Sequence, residues 1–321
     1  MKKIILILFL YSLTLHSQNT VGTILNTDDS YDGYTLFAPF NSTSTYLMNN
    51  CGVIVNQWSS SFTPGASVYL LENGNLLRTG KITNENINFG GIGGALELLD
   101  WDGNIIWNYT FTSPSYTQHH DIFPLPNGNI LVLSAEIMTG TEAIQAGRNP
   151  DLLDNGQVFN EQIIELQPVG SNQANIVWEW NFKDHLIQDH DASKDNFGVV
   201  EDNPQRLNFN FTNSTSGPEN WLHINSMQYN ETLDQILLSS RLLSEIYIID
   251  HSTTTAQAAG TTEGTYGKGG DILYRWGNKA AYNKGNADDR TLFGQHFPHW
   301  IPDGLTDAGK IIIFNNGNPS R

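Results

Sequence analysis

The chain has 321 residues, with 16 Lys and Arg against 33 Asp and Glu, which gives a formal charge of −17. Such an acidic protein is a poor partner for nucleic acid or an anionic membrane. The single cysteine, Cys51, excludes an intramolecular disulfide and a cysteine-based zinc site, and we expect it to be a small buried hydrophobic residue. The 11% of aromatic residues and 29 glycines are typical of folded β proteins with many turns.

The first 17 residues are predicted to be a signal peptide. Lys2 and Lys3 precede an apolar run from Ile4 to Leu15, which is too short to span a bilayer but suits an export signal. Ser17 is a suitable last residue before cleavage. Since no other segment reaches transmembrane length, we expect no membrane insertion and an exported protein, either periplasmic or extracellular.

From residue 18 to residue 321, short β-type segments separated by Gly, Asn and Asp turns recur in the same order. Each repeat contains a strand, a tight turn, a second strand and a hairpin that ends on a tryptophan. These tryptophans are Trp58, Trp107, Trp178 or Trp180, and Trp276. Four short antiparallel strands make a propeller blade, so the pattern predicts an all-β fold, a β-propeller, with a β-sandwich as the alternative.

Two parts of this pattern are irregular. A segment at about 183–220 is predicted to be a long inserted loop with one short helix, and its His185 and His190 are predicted to lie on the surface. The last repeat ends before a closing hairpin, which leaves about four and a half blades and an open strand edge. We therefore expect roughly one and a half further blades beyond this sequence.

Three histidines share one position in the repeats. Counting back eight residues from the turn of each repeat reaches His120, His223 and His296, whereas the first such repeat has Ala66 there. If the strand before the turn is the innermost one, these imidazoles face the central channel. Arg241 ends the strand that runs antiparallel to that of His223, and Asn225 lies on the same strand face as His223.

Two chemistries suit three imidazoles, a guanidinium and a carboxamide. Three histidines could bind zinc or copper, although an arginine beside a dication is repulsive. The same groups could instead surround an anionic transition state, with one histidine free as a nucleophile or acid–base group. We favour the second interpretation, in which the site holds no metal and needs no cofactor.

Five separated motifs resemble the bacterial aryl-sulfate sulfotransferases. They read HHDIFPLPNGNILVL, WLHINSM, LLSSRLLSEIYIID, GGDILYRWGNKAAY and LFGQHFPHWIPDG, and the similarity runs from about Tyr31 to the end of the chain. The resemblance implies an exported six-bladed propeller that moves a sulfuryl group from an aryl sulfate to a phenolic acceptor. It also implies a ping-pong mechanism with a sulfohistidine intermediate and no nucleotide sulfate donor.

The resemblance also implies roles for individual residues. His296 of the Gln-His motif would be the nucleophile, and His223, Asn225 and Arg241 would hold the sulfuryl group. The His-His-Asp motif would supply His120 as a further catalytic group, since the register favours His120 over its neighbour. That neighbour, His119, is kept as a substrate-binding candidate.

One departure from the family pattern affects the nucleophile. Where the family commonly has Gln-His-Asp-Ala, this chain has Phe297 and Pro298 after His296, so a carboxylate is missing. His299 is then a second candidate at this end of the site. Together with the incomplete last repeat, this departure supports an alternative, a non-catalytic propeller that binds a ligand or partner and keeps a vestigial site. The sequence predicts no oligomeric state.

Overall fold

The structure is a computed structural model that describes residue 23 and residues 25–153, 155–213 and 219–317. The predicted signal peptide, residues 1–17, lies outside the described residues. Within them the strands are β1 (Tyr34–Phe37), β2 (Ser44–Asn49), β3 (Ile54–Ser59), β4 (Pro64–Leu70), β5 (Leu76–Lys81), β6 (Gly94–Leu99), β7 (Ile105–Thr110), β8 (Tyr116–Pro124), β9 (Ile130–Thr139), β10 (Gln157–Val169), β11 (Gln173–Asn181), β12 (Leu186–Ile187), β13 (Leu207–Asn208), β14 (Ile224–Asn230), β15 (Gln235–Ser240), β16 (Glu245–Asp250), β17 (Tyr274–Trp276), β18 (His296–Trp300) and β19 (Ile311–Phe314).

The helices within the described residues are short. Two are α-helical, α1 (Gly140–Gln145) and α2 (Thr255–Ala258). The others are 3₁₀ turns at Pro150–Leu152, Phe182–His185, Val200–Asp202, Lys279–Tyr282 and Ala287–Asp289. Both α-helices begin at a threonine whose side chain accepts a backbone hydrogen bond from the first turn, which explains where they start.

Antiparallel sheets follow one another along the chain. Three of them have four strands each, in the orders β4-β5-β6-β7, β8-β9-β10-β11 and β14-β15-β16-β17. A three-stranded sheet, β1-β2-β3, precedes them, and the pair β18-β19 follows. Each strand pairs with the next one in sequence, which is the order within a propeller blade. The prediction of an all-β fold is confirmed, and its sheets are consistent with a β-propeller, whereas blade number and ring closure stay predictions.

Tight turns join the first two strands of these sheets, as the Asn-Gly pairs predict. Gly74 and Gly128 have φ of +83° and +86°, a left-handed conformation that glycine adopts without a steric penalty. Their N–H groups donate to the carbonyls of Leu71 and Leu125 at 2.9 and 3.0 Å. The turns therefore set the register of the hairpins that begin each sheet.

Tryptophans at the ends of the repeats join neighbouring sheets. The indole N–H of Trp58 on β3 donates to the Asp100 carbonyl of the next sheet at 2.9 Å, and Trp107 on β7 donates to the Gln173 carbonyl at 2.8 Å. Trp180 is buried in the same way. A buried indole needs a hydrogen-bond acceptor, and each of these finds one on the sheet that follows. By contrast, Trp276 is 41% exposed.

The inserted segment packs against the sheets and is not a loose loop. It contains two 3₁₀ turns and the short parallel pair β12–β13, and its buried side chains join the largest hydrophobic cluster. The surface position predicted for His185 is therefore wrong. The His185 side chain is fully buried, with Nε2 2.8 Å from the Ala258 carbonyl and its ring stacked on Trp180 at 5.2 Å. His190 is exposed, as predicted.

The prediction of a buried Cys51 is wrong, because this residue lies in the turn between β2 and β3 and is exposed. A side chain at a turn tip has no second layer to cover it.

Across the described part of the chain, no helix has the length and apolar character needed to cross a membrane.

Candidate functional site

The predicted site residues lie on the first strands of three consecutive sheets. His119 and His120 are on β8, His223 comes just before β14, and His296 begins β18. Strand β14 lies beside both β8 and β18. As a result, the rings of His120 and His223 meet at a centroid distance of 4.7 Å, although 103 residues of sequence separate them.

The backbone at two of these histidines is left-handed. His120 and His223 have φ of 50° and 49°, and Ala66 at the corresponding position has φ of 80°. Such a conformation costs a non-glycine residue about 1–2 kcal/mol, and it is concentrated at functional sites. The last histidine does not share this backbone conformation, because the left-handed residue there is Phe297 and not His296. The register predicted from the sequence is therefore wrong by one residue at this strand. A bulge between His296 and His299 shifts this strand by one residue.

The ring of His296 is held in one tautomer. Its Nδ1 lies 2.9 Å from the Gly294 carbonyl oxygen, which only accepts, and 3.2 Å from the Asn316 amide nitrogen, which already donates to that same oxygen. The shorter contact with an obligatory acceptor favours the tautomer in which Nδ1 carries the proton and Nε2 keeps its lone pair. The side chain is half-buried. Burial, followed by the positive charge of Arg241, lowers its pKa, although the Gly294 hydrogen bond opposes this. The backbone carbonyl thus orients the ring in a sequence that has Phe297 after the histidine.

Gln295 anchors the segment that carries His296. Its side chain is fully buried, and Nε2 donates to the carbonyls of Ser240 at 2.8 Å and Glu245 at 3.0 Å on the preceding sheet. The side chain of Asn225 donates to the Gln295 carbonyl at 2.7 Å. These bonds explain why a glutamine precedes the histidine and how the two sheets are held together at the site.

His223 and His120 are both partly buried and neutral. The Asn220 amide donates to Nδ1 of His223 at 2.8 Å, which leaves the ring proton of His223 on Nε2. Burial, then the charges of Arg241 and His296, lower the pKa of His223 to about 4. Burial, then the charges of His223, His296 and Arg241, lower the pKa of His120 to about 3. Both rings are therefore uncharged hydrogen-bonding groups at neutral pH.

Arg241 supplies the positive charge of the site. Its backbone N–H donates to the His223 carbonyl at 3.1 Å, so it lies beside the start of β14 as the antiparallel pairing predicts. The side chain is exposed, and its charge lowers the pKa of His120, His223 and His296. The guanidinium is thus within electrostatic reach of all three rings and is free to bind an anion.

The other two predicted histidines lie elsewhere. His119 is fully buried behind His120, with 3.0 Å between their Nδ1 atoms, so it has no surface to offer a substrate. His299 packs on Phe297 at a centroid distance of 5.0 Å and is opposite Ile312 on β19. The structure therefore brings His120, His223, His296 and Arg241 together and leaves His299 at the side of the cluster.

Two residues of the site were missed in the sequence. Glu161 on β10 is fully buried, its Oε2 accepts the Ile224 N–H at 2.8 Å, and burial raises its pKa to about 8. Phe89, between β5 and β6, packs against His119 at 5.0 Å and His223 at 5.6 Å. Neither lies in the histidine register, and the only available signals were a carboxylate within an apolar strand and an aromatic residue before a glycine run.

The glycine run next to Phe89 fits closely over His120. The His120 N–H donates to the Gly91 carbonyl at 2.6 Å. A Cβ atom at Gly91 would lie 2.6 Å from the His120 ring, and Gly91 has φ of +87°. Only glycine satisfies both conditions, so this segment covers the ring closely without displacing it.

The arrangement can bind and polarise a tetrahedral anion. The site combines the neutral N–H groups of His120 and His223, the Nε2 lone pair of His296 and the exposed positive charge of Arg241. Within the residues described by the structure, no group of three or more His, Cys, Asp or Glu side chains is placed to hold a metal ion. The donor set therefore suits a sulfuryl or phosphoryl group better than a cation.

Comparison with known proteins gives one family. A family model described as Arylsulfotransferase (ASST) matches residues 41–321, and no curated protein matches the chain. Among solved structures, the chain is similar to a protein of unknown function from Bacteroides caccae, with a TM-score of 0.42, 10% identity, and coverage of 88% of this chain and 65% of that one.

Two other solved structures are similar at this level. The hydrazine synthase of Kuenenia stuttgartiensis has a TM-score of 0.42 and 12% identity, over 78% of this chain and 61% of that one. A streptogramin B lyase has a TM-score of 0.36 and 14% identity, over 93% of this chain and 83% of that one. The chain thus spans less than two thirds of the Bacteroides protein and of the hydrazine synthase.

Proposed function

Since the chain belongs to the arylsulfotransferase family, we propose that it transfers a sulfuryl group from a phenolic sulfate ester to a phenolic acceptor. Both substrates are small molecules, and the reaction uses no nucleotide sulfate donor, metal or other cofactor. The tautomer of His296 supports this best, because its Nδ1–H bond to Gly294 leaves a neutral Nε2 lone pair next to Arg241.

In the first half-reaction, the Nε2 lone pair of His296 attacks the sulfur atom of the donor. The bond between sulfur and the phenolic oxygen breaks, and its electron pair leaves with that oxygen. The product is a sulfohistidine whose imidazolium keeps its Nδ1–H bond to the Gly294 carbonyl. The N–H group of His223 and the charge of Arg241 stabilise the oxygens of the group in transfer, and the N–H group of His120 donates its proton to the departing phenolic oxygen.

In the second half-reaction, a phenolic acceptor gives its proton to the His120 ring nitrogen that protonated the first phenolate, and its oxygen attacks the same sulfur atom. The bond between nitrogen and sulfur breaks, and His296 recovers its lone pair. The first phenol must leave before the second one occupies the same space, so the order is ping-pong. Two steps through a covalent intermediate replace one difficult transfer.

The remaining predicted residues receive supporting roles in this proposal. Asn225 is assigned to hold the His296 segment through the Gln295 carbonyl, with its second amide hydrogen available to the sulfuryl group. His119 is assigned to support His120, since it is fully buried. His299 is assigned no chemical step.

The test is the intact mass of the full chain after brief exposure to an aryl sulfate without acceptor. We expect a gain of one sulfuryl group that maps to His296 and is discharged by added phenol. The variant His296→Ala should show no adduct, whereas His299→Ala should keep it, and a chelator should have no effect. A folded protein that forms no adduct and releases no phenol would favour the alternative, a non-catalytic binding propeller.

We also propose that the complete protein forms a ring of six blades and is exported to the periplasm or the extracellular space. The support for export is the basic and apolar composition of residues 1–17. Sequencing the mature N-terminus from fractionated cells tests it, and we expect a mature chain that starts at residue 18. An uncleaved protein in the cytoplasmic fraction would contradict it.

A further inference from the structure

Behind the partly buried imidazole of His120 lies a row of buried titratable groups. His120 contacts His119 through their Nδ1 atoms at 3.0 Å, and Nε2 of His119 lies 3.8 Å from Oε2 of Glu161. The side chains of His119 and Glu161 are 0% and 1% exposed. The row therefore runs from a sealed carboxyl group to the ring of His120, which is partly exposed at the site.

The hydrogen bond between the two Nδ1 atoms restricts the protonation of both rings. One Nδ1 must donate and the other must accept. If His119 donates, its Nε2 holds a lone pair towards Glu161, and Nε2 of His120 carries a proton. If His120 donates, its Nε2 holds the lone pair and Nε2 of His119 carries the proton. The pair thus has two neutral arrangements that differ by the transfer of one proton through each ring.

Glu161 is suited to supply that proton. Burial raises its pKa to about 8, so it is a carboxylic acid at neutral pH, whereas burial lowers the pKa of His119 and keeps that ring neutral. Among the described residues, Nε2 of His119 and Oε1 of Glu161 have no hydrogen-bond partner. Shortening the 3.8 Å separation between Nε2 of His119 and Oε2 of Glu161 by about 0.6–1.1 Å would make a normal hydrogen bond and give Nε2 of His119 a partner.

We propose that Glu161 stores the proton required by the departing phenolate, and that His119 and His120 carry it between Glu161 and the substrate. This inference rests on the sulfuryl transfer proposed above. Glu161 and His119 act through His120 and do not touch the substrate. Besides Glu161 and His120, the polar groups that act on His119 are the Ser134 carbonyl and the His223 ring.

The step balances in both directions. When the sulfur–oxygen bond breaks, the proton on Nε2 of His120 moves to the phenolate oxygen. The Nδ1 proton of His119 moves to Nδ1 of His120, and the Glu161 proton moves to Nε2 of His119, which leaves a carboxylate. In the second half-reaction the acceptor phenol gives its proton to Nε2 of His120, and the same moves in reverse restore the acid.

The test compares two donors that differ in their need for a proton. The phenolate of para-nitrophenyl sulfate leaves readily without one, whereas the phenolate of phenyl sulfate does not. In single-turnover experiments we expect Glu161→Gln to slow release from phenyl sulfate by about 100-fold, and release from para-nitrophenyl sulfate by less than about 3-fold. His119→Asn breaks the middle of the row and should show the same selective loss. Because two different variants are compared, a folding defect in one of them does not leave the proposal untested.

Glu165→Gln is the matched control, because Glu165 is a buried carboxylate on the same strand that does not contact the site histidines. It should not change the ratio of the two rates. Equal slowing of both donors by Glu161→Gln, or no slowing of either, overturns the relay while the transferase stands. If the wild-type protein releases neither phenol, the proposed function itself fails and the relay fails with it.

Discussion

Two glutamates on strand β10, four residues apart, each face a histidine, and the two pairs behave in opposite ways. Glu161 and His119, with His120 and His223, form what we name the neutral cluster, in which burial raises the pKa of Glu161 to about 8 and lowers that of His119. Glu165 pairs with His251, which also contacts Asp234, and we name these three residues the charged network.

The difference comes from distance and from contact with water. In the charged network, the two His251 nitrogens lie 3.0 Å from Glu165 and 2.7 Å from Asp234, so both donate and the ring is an imidazolium. Burial alone would lower the pKa of His251, but these hydrogen bonds and charges raise it. In the neutral cluster, the 3.8 Å separation is too long for a hydrogen bond, and both side chains are sealed from solvent.

The comparison shows that a Glu–His contact is not by itself an ion pair. Desolvation disfavours both charges, and only short hydrogen bonds or contact with solvent compensate. Asp234 is 40% exposed, whereas the side chains of Glu161 and His119 are sealed. The same residue types therefore join two sheets in one place and provide transferable protons in the other.

The largest expected effect is acid destabilisation through the neutral cluster. The pKa of His120 is about 3 in the folded protein and about 6.5 when unfolded, so the unfolded state binds more protons between these values. Through this group, folding costs no free energy above about pH 6.5 and costs about 3 kcal/mol at about pH 4. Urea unfolding of wild type and His120→Asn at both pH values measures this. Equal acid losses in the two proteins would contradict it.

Removal of the imidazolium from the charged network should have a smaller effect of opposite pH dependence. The pKa of His251 is raised on folding, so its contribution is complete below about pH 6.5 and is lost as pH rises through the folded pKa. We expect His251→Asn to lose about 2 kcal/mol at about pH 5.5 and less at about pH 9. Urea unfolding checks this, with the exposed His190→Asn as control. A loss that grows with pH would refute the charged assignment.

The smallest expected effect is that replacing each of the two glutamates by glutamine changes the free energy of unfolding in opposite directions. A raised pKa means that folding costs more free energy as pH rises from about 4.5 to about 8, and Gln removes that cost. We expect Glu161→Gln to raise the free energy of unfolding by about 1 kcal/mol at about pH 8, and Glu165→Gln to lower it by a similar amount. Thermal unfolding of both variants tests this. A loss in both would mean that Glu161 is ionised in the folded protein.

Much of the fold and part of the site could be predicted from the sequence. The Asn-Gly turns and the recurring tryptophans indicated sheets of short antiparallel strands, and the histidine register brought His120 and His223 to one place. Glu161 and Phe89 could not be found this way, because they come from a third strand and from a connecting segment. Their distance from the first strand depends on pairing register and sheet packing, which no local pattern records.

By itself, the sequence determined which chain segments form strands, where they turn and which histidines recur, because these follow from local backbone preference and from a repeated register. Only the tertiary structure decided which ring nitrogen carries a proton and which carboxyl group is charged. Those properties depend on the acceptor at Gly294, on 3.0 Å or 3.8 Å between a histidine and a glutamate, and on exclusion of water. Desolvation and hydrogen bonding act between residues far apart in sequence, so they exist only once the sheets have packed.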